Sequence, residues 1–266
     1  MTRLADVIRG WFGWCPMETA GRQEPERRVS KAPDEKDSTG AGPVAKRTAL
    51  FLHLTLVVVG LSWIIGIAAL PYLPEIIPVH WNIYGEPDGF AGRLTGTFGL
   101  PAIMTLVALL LVVLPRFDRM RDTFEESRDI YTIVVFAAMC LLSGIHVTAL
   151  LSSAGLDLPV AVAFPVLLGF FFIVLGSLMP SIRRNTTVGF RLPWTVRDET
   201  VWRRTHEHGG PVFVIAGILI ILASAGMGAS AMPVAFGIII AACLYVTVWS
   251  YCLARAGTTG RADQWQ

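Results

Sequence analysis

The sequence is poor in charge, since charged residues make up 16% of its 266 residues and hydrophobic residues make up 53%. Soluble domains carry about 25% charged residues, so this composition excludes an ordinary soluble protein. Cysteine is also scarce: there are four, and three of them (Cys140, Cys243 and Cys252) lie inside apolar runs. This pattern excludes a disulfide framework and a cysteine metal site. The chain has no HExxH sequence, Ser/His/Asp order or phosphate-binding glycine loop, so we predict no enzyme, no cofactor and no metal.

What the sequence does contain is a series of long apolar stretches, each close to the roughly 20 residues that cross a hydrocarbon core about 30 Å thick. They lie at residues 48–70, 97–114, 131–151, 159–178, 211–229 and 232–253. The last two are joined by a Gly/Ala/Ser turn that ends at Pro233, which predicts a tight helical hairpin. The sequence therefore predicts an all-α, polytopic membrane protein with six transmembrane helices, embedded in the lipid bilayer.

Residues 1–47 differ in composition, with nine Lys/Arg and seven Asp/Glu. Such a segment buries too little apolar surface to become ordered, so we predict a mostly disordered tail. Within it, Trp11, Phe12 and Trp14 form a short aromatic segment. Aromatic rings favour the headgroup level of a membrane, so this segment is either an interfacial anchor or has no role.

The distribution of basic residues predicts the orientation of the chain. Nine Lys/Arg precede the first apolar stretch, four lie at 116–128, six at 183–204 and two after the last stretch, whereas the alternate loops hold one, Arg93. Lys and Arg accumulate in cytoplasmic loops. We therefore predict a multi-pass protein of the cell membrane with both termini cytoplasmic and the loop at 71–96 outside.

The predicted outer loop has four prolines and four glycines between residues 71 and 96, which predicts a shaped loop with defined turns. Three readings remain open. His80, Glu86 and Asp88 have the chemistry of divalent-cation ligands but no recognised spacing. Asn82 and Asp88 would accept hydrogen bonds in turns while Trp81, Tyr84 and Phe90 lie at the interface. Alternatively, the loop faces an extracellular ligand or peptide.

The predicted inner loop, residues 185–210, is dense in arginine and aromatic side chains. Thr195 is a candidate N-cap for a short helix that runs through Trp202, and Trp202 and His206 are then i and i+4 neighbours. Two roles remain open for this loop. Trp194 and Trp202 would lie at the lipid boundary while arginines meet anionic headgroups, or the same side chains would form a docking surface for a cytosolic partner.

Two histidines, His53 and His146, lie well inside the apolar stretches. Polar side chains at such positions usually face the interior of the bundle. A proton relay needs several partnered groups, so we predict that His146 is a neutral, hydrogen-bonded helix contact.

The two loops resemble the SdpI family of bacterial immunity and signalling membrane proteins. The inner loop matches its signature, and the outer loop is similar to the extracytoplasmic domain of unknown function, with the pattern PxHxNxxGxPDG, often found upstream in that family. The outer residues are Pro78, His80, Asn82, Gly85, Pro87, Asp88 and Gly89. The inner residues are Asn185, Gly189, Arg191, Pro193, Trp194, Thr195, Trp202, His206 and Gly209.

The resemblance implies the domain organisation. Residues 1–47 form the cytoplasmic tail, 48–115 the first helical hairpin with its extracytoplasmic loop, and 116–254 an SdpI-like region of four transmembrane helices with the loop at 180–210. Residues 255–266 form a second cytoplasmic tail.

The resemblance also implies a function: immunity to a secreted peptide toxin, signalling by sequestering a transcriptional repressor at the membrane, or both. The expected partners are thus an extracellular peptide toxin and a cytosolic transcriptional repressor, with no direct contact to nucleic acid. The competing hypothesis is a small-molecule or ion transporter or channel, which would need several partnered polar residues in the spans.

Overall fold

The computed structural model describes residues 42–262, so residues 1–41 of the predicted disordered tail, with the aromatic segment at Trp11–Trp14, lie outside the described residues. The last part of that predicted tail was wrong, because residues 43–47 form the start of the first long helix. Within the described part, six helices are long and apolar enough to cross a membrane, which confirms the predicted all-α, six-helix membrane fold. They are α1 (Pro43–Ala69), α2 (Arg93–Val113), α4 (Arg128–Ser153), α5 (Val160–Leu178), α7 (Glu199–Met227) and α8 (Ala231–Ala262). Two short helices, α3 (Arg121–Glu125) and α6 (Pro193–Arg197), lie between them.

The helices form two groups that α4 joins. In the first group, α1 packs against α4 and α2, around a core that contains Val59, Met104 and Met139. In the second, α5 packs closely against α7, and α7 packs against α8, around Phe172, Phe213 and Val246. Helix α4 contacts α5 and so connects the groups.

Two pairs of glycines bring the backbones of α5 and α7 into direct contact. A Cβ atom added at Gly217 would lie 2.5 Å from the carbonyl oxygen of Gly169, and one added at Gly176 would lie 2.6 Å from that of Gly210. Small residues allow such an approach between membrane helices. The two pairs are seven residues apart along each helix, so the close contact extends over two turns.

The segment predicted as a loop at 71–96 contains a β-hairpin that the sequence reading missed. Strand β1 (Ile76–Trp81) pairs antiparallel with β2 (Pro87–Gly92). The end of the bundle that carries these strands is called the hairpin end below. The opposite end, which carries α3, residues 182–198 and α6, is called the arginine-rich end.

The fifth span begins earlier than predicted. Helix α7 starts at Glu199 rather than near Pro211, and Pro211 lies inside it. The polar residues of its first three turns lower the local hydropathy. A prediction based on the length of apolar stretches therefore did not include these turns in the span. Asp198, rather than Thr195, caps this helix, because its carboxylate accepts hydrogen bonds from the backbone N–H groups of Thr200 and Val201. Thr195 lies within α6 instead.

Candidate functional site

The turn of the β-hairpin is built around Asn82. Its Oδ1 accepts hydrogen bonds from the backbone N–H groups of Tyr84 and Glu86, at 2.8 and 3.1 Å, and its Nδ2 donates to the Glu86 carboxylate at 3.0 Å. This arrangement is an Asx turn, in which a side chain replaces a backbone acceptor. The predicted role of Asn82 in a turn is therefore confirmed, and Glu86 is held by the turn.

His80 and Asp88 face each other across the two strands. The imidazole Nδ1 lies 2.6 Å from Asp88 Oδ1, and both side chains are exposed. Asp88 thus pairs with a side chain instead of the backbone amide that the sequence suggested. Among residues 42–262, no three His, Cys, Asp or Glu side chains come together. Gly89 lies opposite His80, and a Cβ at Gly89 would come within 2.9 Å of the His80 Cβ.

The hairpin rests on the helical bundle instead of extending away from it. Gly85 has a φ of +79°, and a Cβ there would lie 2.5 Å from the Ala161 Cβ at the start of α5. Trp81 makes an edge-to-face contact with Phe164, with ring centroids 5.4 Å apart. Ile77, which is 1% exposed, is buried against Leu73 and Leu150. The remaining loop residues, Pro78 and Pro87, lie in the strands.

At the arginine-rich end, Asn185 folds the segment that follows α5. Its Oδ1 accepts from the backbone N–H groups of Thr187 and Val188, both at 2.7 Å, and its Nδ2 donates to the Arg183 carbonyl at 2.7 Å. Asn185 is fully buried. All the polar atoms of its side-chain amide are thus used within the loop, which makes it a structural residue.

His206 attaches this loop to α7. The backbone carbonyl of Trp202 can only accept, so the Nδ1–H of His206 donates to it, at 2.9 Å, and Nε2 is free to accept from the Phe190 N–H at 3.0 Å. The Trp202 ring stacks on the imidazole with centroids 4.2 Å apart, and its Nε1–H donates to the Ile182 carbonyl. Gly189, at φ +113°, lies directly against His206. A side chain at Gly189 would displace the imidazole.

The rest of the inner signature completes this loop. Thr195 Oγ1 accepts from the Leu192 N–H and donates to the Phe190 carbonyl, while Trp194 Nε1–H donates to Ser250 Oγ on α8. The other signature residues are Arg191, which donates to the Thr186 carbonyl, Pro193, which is the first residue of α6, and Gly209, which packs against Met179 and Val246.

The burial of these side chains argues against both roles that the sequence left open for Trp202. Trp202 and His206 are each 1% exposed, and Asn185 and Thr195 are fully buried. Trp202 therefore lies neither at the lipid boundary nor on a docking surface. The predicted i, i+4 contact of Trp202 with His206 is confirmed. Both side chains hold the loop in shape, and charged residues surround them.

Those charged residues border a cleft of about 430 Å³ at the arginine-rich end. Arg184 pairs with Glu199 at 2.8 Å and Arg183 lies 3.6 Å from Glu126. The charged residues that line the cleft are Glu126, Asp129, Arg183, Glu199, Arg203 and Glu207. Glu126 and Asp129 come from a distant segment of the chain, so the interpretation of residues 185–210 alone did not place them beside these arginines.

Asp118, just after α2, connects this loop to the first group of helices. Its Oδ1 accepts from the Met120 N–H at 2.7 Å, and its Oδ2 accepts from the Thr186 N–H at 3.0 Å and the Thr187 hydroxyl at 2.5 Å. Ser127 Oγ accepts from the Arg183 N–H in the same region. Burial alone would raise the pKa of Asp118, but these hydrogen bonds favour the carboxylate and hold its pKa below the ordinary value.

This depressed pKa predicts a pH-dependent stability. The contribution of the Asp118 carboxylate to the free energy of unfolding is complete above the ordinary pKa of 3.8. It is lost as the pH falls through the lower pKa that Asp118 has in the folded protein. We expect Asp118→Asn to lower the unfolding temperature in detergent at neutral pH, and the difference from the unsubstituted protein to shrink below about pH 4. A difference that stays constant from pH 7 to pH 3 would contradict this assignment. Exposed Asp122 on α3 serves as the control, because Asp122→Asn removes an equal charge.

Two protein-family matches cover separate parts of the chain, and each includes one end of the bundle. Residues 57–105, which include the β-hairpin, match a domain of unknown function, DUF1648, and residues 181–250, which include the Asn185–His206 loop, match the SdpI/YfhL protein family. No solved structure matches the chain.

Among curated relatives, the Immunity protein SdpI of Bacillus subtilis (strain 168) is 25% identical over 198 residues, which cover 74% of this chain and 93% of that protein. An uncharacterized protein of Archaeoglobus fulgidus is 28% identical over 118 residues, 38% of this chain and 64% of its own length. The uncharacterized membrane protein YbgB of B. subtilis is 34% identical over 47 residues, 18% of this chain and 52% of its own. The resemblance read from the two loops is confirmed, and the chain is an SdpI-like integral membrane protein with a DUF1648 region around its hairpin.

Proposed function

We propose that this protein confers immunity to a secreted peptide toxin, and that the hairpin end is where the toxin is met. The observation that carries the proposal is the similarity to an immunity protein over 93% of that protein's length. The hairpin supports it, because Tyr84, on the turn fixed by Asn82, and Phe90, on strand β2, are each 60% exposed. Aromatic side chains that are held in a fixed position often contribute a large part of the binding free energy at such interfaces. The proposed function is not enzymatic.

The proposal requires the hairpin to lie outside the cell. The Lys/Arg asymmetry favours this orientation, because the arginine-rich end holds the six arginines at 183–204 and the hairpin end holds Arg93. Both termini would then be cytoplasmic.

The orientation is tested with single cysteines in a background in which the native cysteines are replaced. We expect Tyr84→Cys to react in intact cells with a thiol reagent that does not cross the membrane, and Arg197→Cys to react only after permeabilisation, because both positions are exposed at opposite ends. Reaction of both cysteines in intact cells, or the reverse pattern, would contradict the orientation. Equal labelling of both in detergent controls for reactivity.

Immunity is tested by expressing the chain in a B. subtilis strain 168 derivative that lacks its own SdpI and challenging it with a secreted peptide toxin to which that deletion makes the strain sensitive. We expect the chain to restore growth. We expect Tyr84→Ala to lower the toxin concentration that the cells tolerate by at least about tenfold, because the substitution removes one aromatic side chain from the proposed interface. Membrane abundance should not change, because Tyr84 is exposed. Tyr72→Ala, at a residue that is 75% exposed beside the hairpin, is the matched control.

If the unsubstituted chain reaches normal abundance and gives no protection against that toxin, the proposal fails for that toxin, and the transporter hypothesis becomes the next to test. If Tyr84→Ala and Tyr72→Ala protect equally well, the hairpin turn is not the contact surface.

We further propose that the cleft at the arginine-rich end is the docking site for a cytosolic transcriptional repressor, the partner that the family resemblance implies. Arg203 and Glu207 at its border are about half exposed and pair at 3.4 Å, so a partner can replace this weak contact with its own charges.

A further inference from the structure

Four polar or aromatic side chains come together on the outside of α7 and α8, toward the arginine-rich end. The His208 ring of α7 stacks on the Trp249 ring of α8, with centroids 4.2 Å apart. Nε2 of His208 lies 3.0 Å from the hydroxyl oxygen of Tyr245. Arg204 precedes His208 by four residues in α7, so the two side chains are neighbours on one helix face. These four residues are called the α7–α8 cluster below.

The α7–α8 cluster faces the surroundings of the protein. Arg204 and Tyr245 are exposed, and Val248, which lies between Tyr245 and the end of α8, is 59% exposed. The continuous apolar part of α7 begins at Pro211, three residues after His208. Both helices are long and apolar enough to cross a membrane. The cluster therefore lies where the hydrocarbon core meets the headgroups, a level at which Trp and Tyr are enriched.

Arg204 carries a positive charge that no carboxylate balances. Within the part of the chain that the structure describes, its guanidinium makes no hydrogen bond and no ion pair. The two carboxylates of α7 have other partners, since Glu199 pairs with Arg184 and Glu207 pairs with Arg203. Helix α8 contains no Asp or Glu. An anion from outside the chain can therefore approach Arg204 without displacing a carboxylate.

The aromatic members of the cluster add hydrogen-bond donors without acceptors. Nε1–H of Trp249 makes no hydrogen bond to any described residue, and it is not enclosed. The contact between His208 and Tyr245 uses one donor and one acceptor. An uncharged imidazole and a hydroxyl carry two donors between them, so one N–H or O–H is left over in either tautomer. A charged imidazole would leave two.

We propose that the α7–α8 cluster binds the phosphate group of an anionic phospholipid. Arg204 meets the negative charge, while the Trp249 N–H and the spare donor of the imidazole–hydroxyl pair donate to phosphate oxygens. A phosphate offers a negative charge and several acceptors, which is the complement of this set of donors. Basic residues close to a membrane surface attract anionic headgroups. The site is independent of the immunity proposal, because it is defined by lipid binding to the purified protein.

The probes are dioleoylphosphatidylglycerol, which is anionic, and dioleoylphosphatidylcholine, in which a cation balances the phosphate on the same acyl chains. Each lipid is titrated into the purified full-length protein in detergent, and bound lipid is counted by native mass spectrometry. We expect one saturable site that prefers the anionic lipid by about fivefold, the effect of one basic residue near a surface. Equal affinity for the two lipids would overturn the proposal. Displacement of the lipid by glycerol 3-phosphate would instead show a site for soluble phosphates.

Two arginine variants locate the site. We expect Arg204→Gln to weaken binding of the anionic lipid by at least about tenfold, because it removes a hydrogen bond between charged groups. Arg121→Gln is the matched control, since Arg121 is also exposed at the arginine-rich end and belongs to α3. It removes the same charge and should leave the affinity unchanged. If the two variants bind the lipid equally well, the α7–α8 cluster is not the site.

The indole donor is tested by Trp249→Phe, which keeps a ring against His208 and removes the N–H. We expect the anionic lipid to bind about fivefold more weakly, the loss of one hydrogen bond. Trp81→Phe makes the same chemical change at the hairpin end and should have no effect. Equal affinities of these two variants would rule out a contact between the Trp249 N–H and the phosphate.

The spare donor is tested by its redundancy. His208→Phe leaves the Tyr245 hydroxyl and Tyr245→Phe leaves the imidazole N–H, so we expect each single variant to bind within about twofold of the unsubstituted protein. The double variant has neither donor and should bind about fivefold more weakly. A single variant as weak as the double would contradict the shared donor. If the double variant does not fold, the Arg204 and Trp249 comparisons still decide whether the cluster binds the lipid.

Discussion

Trp202→Ala is expected to destabilise the protein by about 3–5 kcal/mol, the usual cost of removing a buried tryptophan, and to lower its abundance in the membrane sharply. The ring is 1% exposed and belongs to the core around Met179, Phe213 and Val246. Its loss also leaves the Ile182 carbonyl without its donor and His206 without its stacking partner. This expectation differs from both roles considered from the sequence alone, in which Trp202 lay at the lipid boundary or on a docking surface.

The measurement is the unfolding temperature of the purified protein in detergent, with membrane abundance determined in parallel. Trp202→Phe should have an intermediate effect, because it keeps a ring beside His206 and loses the hydrogen bond to Ile182. The matched control is Phe117→Ala at the same end of the bundle, where the ring is 76% exposed. If Trp202→Ala and Phe117→Ala reach equal abundance and melt together, Trp202 does not support the core as described.

Apolar length was enough to predict the six spans, because it depends on composition over many residues. The i, i+4 contact of Trp202 with His206 was predictable for a similar reason, since it follows from helix geometry. The burial of the pair was not, because it depends on partners distant in sequence, Ile182 and Phe190.

The β-hairpin was missed for a related reason. Its strands are six residues each and contain two prolines, Pro78 and Pro87, which argue against a strand when read alone. What makes the hairpin form is the Asn82 turn together with its docking on Ala161 and Phe164 of α5. Contacts between segments 80 residues apart leave no local pattern in the sequence.

Gly217→Ala is expected to separate α5 from α7 and to destabilise the protein by about 1–3 kcal/mol, the usual cost of overpacking. The added methyl would lie 2.5 Å from the Gly169 carbonyl oxygen and 2.9 Å from the Ile173 backbone nitrogen. Backbone atoms cannot rotate away as a side chain does, so the helices must move apart. The larger substitution Gly217→Leu should prevent accumulation of folded protein.

Gly60→Ala in α1 is the matched control, because a Cβ there meets nothing within 4 Å. Both substitutions raise helix propensity to the same extent, by up to about 1 kcal/mol, so their difference isolates the contact between α5 and α7. We expect Gly60→Ala to unfold at the same temperature as the unsubstituted protein or higher, and Gly217→Ala to unfold lower. If the two variants melt at the same temperature, the close approach of the helices is not needed for stability.

Helix α4 has a consequence for communication between the two faces of the membrane. Near its hairpin end, Leu150 packs on Ile77 of β1, and at its other end the hydroxyl of Ser127, which precedes α4, accepts the Arg183 N–H. About 23 residues separate these contacts, a length of roughly 35 Å along a continuous helix. Such a helix transmits a displacement by tilting or sliding as a rod. A sub-ångström shift under the hairpin would therefore reach the segment around Arg183 as mechanical motion, with no diffusible messenger between the two faces.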